Sequence, residues 1–457
     1  MSRGETKRVQ ELKHKARRRS IKEGLSNTIK NSFATEYVSP FAIAINSSGA
    51  MVSMISSVSG LLGPLSQMFS PKLMEKYSRK KIVLTEVIYE SLSLLPFIAI
   101  ALLYYFDIWR EYLPFLMLLT VAVYVVFSNI SYPAWFSWMG DIVDRHYRGR
   151  WFSKRRFIIG IVASVFVLIS AFVLDIFRDN HIEMIGFAIF FFIAFLGRLA
   201  SFKVIKKEYE PKMKMKKHNH ISFLEFLSQI KKTEFGRFSL MKSSLDMTVY
   251  IASPLFAVYL LRDLQFSYTI FMIITLFGVG ASLFILSIWG MISDKYGSYK
   301  VITLSSMAIP FIPIMWLLSP NPIYLMLVPS LIGGVAWAGQ SLATGNFIYE
   351  SVPKDKLGSY VYYFNLLGGI GVFIGAGIGA LLIKYLSVEI IKPIFMIFII
   401  SSVARFLVVM ILLPRVKKTV PRSTNSKILK EVVFKDAKIA LHEDIHQIIA
   451  IRKYLKE

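Results

Sequence analysis

The chain has 457 residues, 54% of them hydrophobic and only 18% charged, with a mean hydropathy of +0.53. A soluble domain of this length needs far more polar surface, so the composition places the protein in a membrane. It has no cysteine, which excludes disulfides, thiol catalysis and cysteine-held metals, and its net charge of +25 is distributed in a way that argues against nucleic acid.

In chain order, twelve apolar runs are long enough to cross a bilayer: 27–46, 50–70, 82–105, 112–138, 153–176, 183–203, 237–261, 267–290, 299–319, 322–346, 358–384 and 388–413. Each matches the roughly 20 residues that a helix needs to span the hydrocarbon layer. None alternates with the period of two of a barrel strand, so an all-α integral membrane protein is expected. Residues 1–26 form a basic segment, 27–203 a six-helix bundle, 204–236 a lysine-rich linker, 237–413 a second bundle and 414–457 a basic tail. Phe223, Leu224, Leu227 and Ile230 give the linker the rhythm of a short amphipathic helix on the membrane surface, and the tail has a similar rhythm from Ile428 to Ile449.

With loops assigned to alternate sides, nearly all Lys and Arg fall on one side. The other side keeps few, among them Arg110, Arg178, Arg262 and Lys392. The positive-inside rule then places both termini in the cytoplasm of a plasma-membrane protein. Arg17-Arg18-Arg19 and the lysines of 212–217 suit anionic lipid headgroups better than nucleic acid. No cleaved signal peptide is expected.

The chain repeats itself near half its length. Leu73-Met74-Glu75-Lys76-Tyr77-Ser78-Arg79-Lys80 returns, altered, as Ile292-Ser293-Asp294-Lys295-Tyr296-Gly297-Ser298-Tyr299, a shift of 219 positions. Ser39-Pro40 matches Ser253-Pro254, and Asp141 with Arg148-Gly149-Arg150 matches Glu350 with Leu357-Gly358-Ser359, shifted by 209. Duplicated helical bundles are a common construction among secondary transporters.

On these motifs the chain resembles the major facilitator superfamily. That family carries G-x-L-a-D-R-x-G-R-K between spans 2 and 3, and a weaker copy between spans 8 and 9. Here the second copy is better kept, with Gly290, Asp294, Lys295 and Gly297 in register. In the first, Pro71 and Ser78 replace the glycines and Glu75 the aspartate, while Arg79 and Lys80 remain. The stretch from Asp141 to Asp144, followed by Arg148-Gly149-Arg150, looks like the family's loop after span 4. The resemblance implies two pseudo-symmetric six-helix bundles around a midplane site that alternates between the two faces. It also implies gating roles for Asp294 and Lys295, with Glu75, Arg79, Asp141 and Arg148 as partners. Acids at helix ends can hold free N–H groups and the positive dipole of a neighbour, and such bonds break as the halves rock.

Charges at bilayer depth need a partner, a wet cavity or a function. Glu36 in span 1 and Asp246 in span 7 lie at similar depth in helices that the resemblance places around the cavity. As a pair they could bind a proton, a cation or a cationic substrate. The plainer alternatives are that Lys242 neutralises Asp246 from one turn away, and that Glu36 pairs with Lys30 or is hydrogen-bonded within the bundle. Glu86 and Glu90 share a face of span 3, where Glu90 reads as a structural pair or a coupling site. Arg405 in span 12 reads as a packing or pairing residue. Tyr37, Asn129, Tyr250, Trp337, Gln340 and Asn346 are polar or aromatic candidates for the cavity wall. Trp135, Trp138 and Trp151 read as interfacial anchors. Gly371, Gly375 and Gly379 are spaced for close helix packing.

His442-Glu443-Asp444-Ile445-His446 matches the zinc-protease pattern H-E-x-x-H, but in a tail without a third ligand or a catalytic domain. No phosphate-binding loop is present, so no ATP-driven step, no enzyme activity and no cofactor is expected. The expected partners are a small-molecule solute, protons and anionic lipid, and the expected state is a monomer. A transporter-fold sensor that moves nothing is the alternative reading.

Overall fold

The computed structural model describes residues 3–144, 148–211, 222–352, 357–386 and 392–416. The lysines of 212–217, the tail helix and the H-E-x-x-H stretch lie outside the described residues. Every regular element among the described residues is helical. Eleven helices are long and apolar enough to cross a membrane: Gly49–Lys76, Arg79–Tyr105, Leu113–Ile142, Lys154–Asp179, Glu183–Lys206, Glu234–Asp263, Tyr268–Tyr296, Ser298–Met315, Pro322–Ser351, Ser359–Tyr385 and Pro393–Arg415. These are spans 2 to 12 of the sequence.

Span 1 departs from the expectation of one apolar helix over 27–46. An α-helix runs from Arg3 to Phe33, a single 3₁₀ turn covers Thr35–Tyr37, and a second α-segment covers Val38–Ala44. Pro40 explains the break: it has no N–H to give the carbonyl of Glu36 four residues back. The basic segment ahead of span 1 is helical because Lys, Arg, Glu and Leu favour helix, and because it is docked. Ala16, Ser20 and Glu23 on it are buried. Arg17 donates to the carbonyl of Ile142 at 3.3 Å and Arg19 to that of Lys207, so two of the three arginines expected at lipid headgroups turn onto the ends of spans 4 and 6. Span 7 breaks in the same place. Its helix Glu234–Tyr250 gives way to turns over 251–254 before Leu255–Val258, with Pro254 standing to Tyr250 as Pro40 does to Glu36.

The chain forms two compact units that cut across the sequence repeat. The first comprises Met1–Lys217, Tyr250–Met272 and Gly368–Ile397. Besides its N-terminal helices it contains pieces of spans 7, 8, 11 and 12. Ser57 donates to the carbonyl of Phe373 at 2.7 Å, and Arg262 to that of Ser47 at 2.6 Å. Asp175 accepts from the backbone N–H groups of both Tyr268 and Thr269, at 2.7 and 2.8 Å, capping the N-terminus of span 8. Of the glycines expected to pack closely in span 11, Gly379 does so: a Cβ there would overlap the carbonyl of Ile251. Trp138 is not an interfacial anchor. It is fully buried, donates to the carbonyl of Tyr209 at 3.0 Å, and packs with Val83, Val87, Met139 and Ile142.

The second unit comprises His218–Val249, Ile273–Leu367 and Phe398–Glu457. The linker helix Phe223–Gln229 belongs to its core rather than to a membrane surface. Phe226 is 1% exposed and meets the rings of Phe235, Tyr360 and Tyr363, and the Tyr360 hydroxyl donates to Gln229 at 3.0 Å. The rhythm at 223–230 is that of a helix covering an aromatic pocket.

Candidate solute and proton site

The repeated loop motif builds the same contact twice with different chemistry. In the first unit Arg79, 1% exposed, donates to Asp141 at 2.7 Å, to Ser137 at 3.2 Å and to the carbonyl of Pro211 at 3.0 Å. In the second, Ser298 donates to Glu350 at 2.6 Å. Ser298 lies 219 positions after Arg79 and Glu350 lies 209 after Asp141, the two offsets of the sequence repeat. Gly297 starts the helix Ser298–Ala308 with φ of 83°, a conformation that requires glycine. Its counterpart Ser78 has φ of −65° and accepts from the N–H of Lys81 as an ordinary N-cap, so the lost glycine of the first copy is a change of cap.

Other gate candidates stand apart. Asp294 and Glu75 are exposed and form no ion pair among the described residues. The Lys295 ammonium lies 5.6 Å from the centre of the Tyr296 ring, and Gly290 faces open space. Arg148 opens the helix Arg148–Asp179. Arg79 and Asp141 partner each other.

At mid-span, Glu36 lies on the 3₁₀ turn that interrupts span 1. Its side chain is exposed in the structure and has no hydrogen-bond or ion-pair partner among the described residues. Beside it Thr35 shares a hydrogen bond with the Tyr124 hydroxyl at 2.8 Å. The suggested partner Lys30 is engaged elsewhere, 2.9 Å from Glu90. Asp246 takes its plainer alternative: Lys242 donates to it at 2.6 Å from one turn away.

Tyr37 does not line a cavity. It is fully buried, with its hydroxyl 2.8 Å from Ser170 and its ring against Phe187 and Phe190. Gln340, 1% exposed, accepts from Ser305 and Ser306, both at 3.1 Å, and so packs spans 9 and 10. Asn129 folds back on its own helix, donating to the carbonyl of Val125 at 2.9 Å. Asn346 donates to Ser293 at 3.2 Å beside the second loop motif. Tyr250, at the end of its helix, and Trp337 are half-buried.

The largest feature missed in the sequence is a buried ionic network in the first unit. Arg198 of span 6 donates to Glu86 at 2.8 Å, lies 3.5 Å from Glu23 and pairs with Glu90. Glu23 also accepts from Arg155 at 3.0 Å, and Lys30 completes the set at Glu90. Isolated charges this deep cost several kcal/mol each, so the network exists only because its members meet. The signal was present: Glu23 and Lys30 lie two turns apart on one helix, as Glu86 and Glu90 lie one turn apart on another. The second unit buries an arginine of its own in span 12, Arg405. Among the described residues no acid meets it. It donates to Ser401 at 3.1 Å and to the carbonyls of Val249 and Ile309 at 3.2 and 3.4 Å.

A twelve-span repeat with twin loop motifs and broken first helices defines a class, and comparison with known proteins gives it a family. The sequence profile of the Major Facilitator Superfamily matches residues 25–241 and again 238–451. The chain belongs to this superfamily. The fold is shared with the nucleoside transporter NupG (13% identity, 89% of this chain and 100% of that chain, TM-score 0.64). It is also shared with a bacterial homologue of the iron transporter ferroportin in its inward-facing state (12% identity, 88% and 99%, TM-score 0.65) and with a POT family transporter in complex with 5-aminolevulinic acid (13% identity, 88% and 97%, TM-score 0.64). No curated protein matches the sequence.

Proposed function

We propose that this protein is a proton-coupled secondary transporter that moves a small solute by alternating access, with Glu36 as the group that takes and gives up the coupled proton. The observation that carries this reading is one carboxyl without a partner among the described residues, held on a helix break at mid-span. A carboxyl so placed is costly to keep ionised without a cation, so its charge responds to whatever occupies the cavity. A cation site or an uncoupled carrier would use the same fold but would not need this group to titrate. Asp246 is the weaker candidate, because Lys242 already supplies its counter-charge. The three structural relatives are named for unlike cargoes, so solute class comes from experiment. The basic loops support cytoplasmic termini in a plasma membrane.

The test uses purified protein in liposomes loaded with a pH-sensitive dye and offered solutes one class at a time. A solute that moves protons defines the class, and the sign of the movement separates symport from antiport. With that solute, Glu36→Gln should abolish gradient-driven accumulation and spare solute exchange. Accumulation at the wild-type level in this variant sinks the assignment.

A further inference from the structure

The helix Arg3–Phe33, which leads into span 1, carries Ser20, Glu23, Asn27 and Lys30 at spacings of three, four and three, which puts all four on one face. Against this face stand Arg155 from span 5, Arg198 from span 6, Glu86 and Glu90 from span 3, and Glu208 just past the end of span 6. Glu86 and Glu90 lie one helical turn apart and both meet Arg198. Two carboxyl groups can share a hydrogen bond only if one of them carries a proton.

A second observation points the same way. Glu208 is 3% exposed, and its Oε1 has no hydrogen-bond partner among the described residues. Asn27 Oδ1 and Ser20 Oγ on the facing helix are buried and unpartnered too. Buried acceptors without donors are groups that a protonated carboxyl or a bound water satisfies. The four carboxyls Glu23, Glu86, Glu90 and Glu208 thus meet the buried Lys30 and Arg198 and the half-buried Arg155. Arg19 and Lys80 approach Glu208 only from a half-exposed rim, where they donate to the backbone carbonyls of Lys207 and Glu208.

We propose that this cluster is a second proton-binding site, in which Glu86 and Glu90 hold one proton between them on Arg198. On release, the O–H bond at Glu86 breaks and an O–H bond forms on the next carboxylate, Glu23 and then Glu208, from which the proton leaves toward the basic loops. The negative charge left behind is held by Arg198 and Lys30. Lys30 also joins the cluster to Glu36: its ammonium lies 5.7 Å from the centre of the Tyr124 ring, and the Tyr124 hydroxyl meets Thr35 beside Glu36. The site does not depend on Glu36, but its use in transport rests on the proton-coupled reading above.

The test needs no solute. In a Glu208→Gln background, infrared spectra of the purified protein at neutral pH should contain a protonated-carboxyl C=O band that Glu86→Gln removes and Glu36→Gln leaves in place. Thermal midpoints give the second arm. An amide is a neutral isostere of the protonated acid, so Glu86→Gln should fold and keep the wild-type midpoint. Glu90→Gln should lower it, because Lys30 and Arg198 lose their ionised partner. The proposal is overturned if Glu86→Gln removes no band, or if it fails to fold or destabilises as much as Glu90→Gln. If Glu86→Gln removes the band while Glu36→Gln accumulates solute normally, the role of Glu36 falls and the second site stands.

Discussion

Glu208 illustrates how one side chain can set the pH response of a whole helix bundle. It lies beyond the end of span 6, and burial, reinforced by the nearby charge of Glu23, pushes its carboxyl up to about 8 against Arg155, Lys80 and Arg19. A carboxyl whose value is raised on folding stabilises the folded state while protonated, and the contribution is lost as pH rises through the folded value. The thermal midpoint should therefore decline from mildly acidic pH through about pH 8, and Glu208→Gln should flatten that decline. An equally steep decline in the variant refutes the assignment. Few of these roles were legible beforehand. Glu36 and Asp246 stood out as charges in apolar runs, and the choice of Lys242 for Asp246 followed from helical spacing. The removal of Lys30 to Glu90 did not, because it depends on which helices are neighbours, and a sequence carries only the order of helices.

At the scale of the element, the Ser-Pro pairs matter most. Pro40 and Pro254 each deny a hydrogen bond to the carbonyl four residues earlier, and each sits at the break of its span. Pro40→Ala restores the missing N–H and should let span 1 run through as one α-helix. We expect it to stabilise the protein by about 1–3 kcal/mol, the range of an interior proline's cost. It should also slow gradient-driven transport by turning Glu36 out of its position. Calorimetry and flux of the same preparation check both halves, and unchanged flux would show that the break has no part in the cycle. The repeat of Ser-Pro was legible, and so were eleven of the twelve spans. What escaped was the long helix ahead of span 1 and the inward face of the linker helix. Both are polar enough on one side to read as surface elements, yet Ala16 and Phe226 are buried. Amphipathic rhythm says that one face wants cover and leaves open whether lipid or protein provides it.

At the scale of the whole molecule, the first unit gathers six N-terminal spans with pieces of four C-terminal ones. The Asp175 carboxylate is a principal tie, because it meets two free N–H groups and the positive end of a long helix at once. Arg178 adds a hydrogen bond to the carbonyl of Phe266 at 3.1 Å. Asp175→Asn removes the charge and one acceptor, and should weaken the tie by about 1–2 kcal/mol. The natural absence of cysteine allows a spin-label pair on a clean background, one label near the end of span 5 and one in the 264–267 loop. Electron-resonance distances should shift toward longer values in the variant. An unchanged distribution means that other contacts carry the tie.

Arg198 and Arg405 are each buried in the last span of a half, one among three acids and the other among backbone carbonyls. The two halves are therefore no longer interchangeable goods. A chimera assembled from two N-terminal halves would bury two ionic clusters, and one from two C-terminal halves would bury none. One half sets its buried arginine among charges, while the other uses one as a strut between helices.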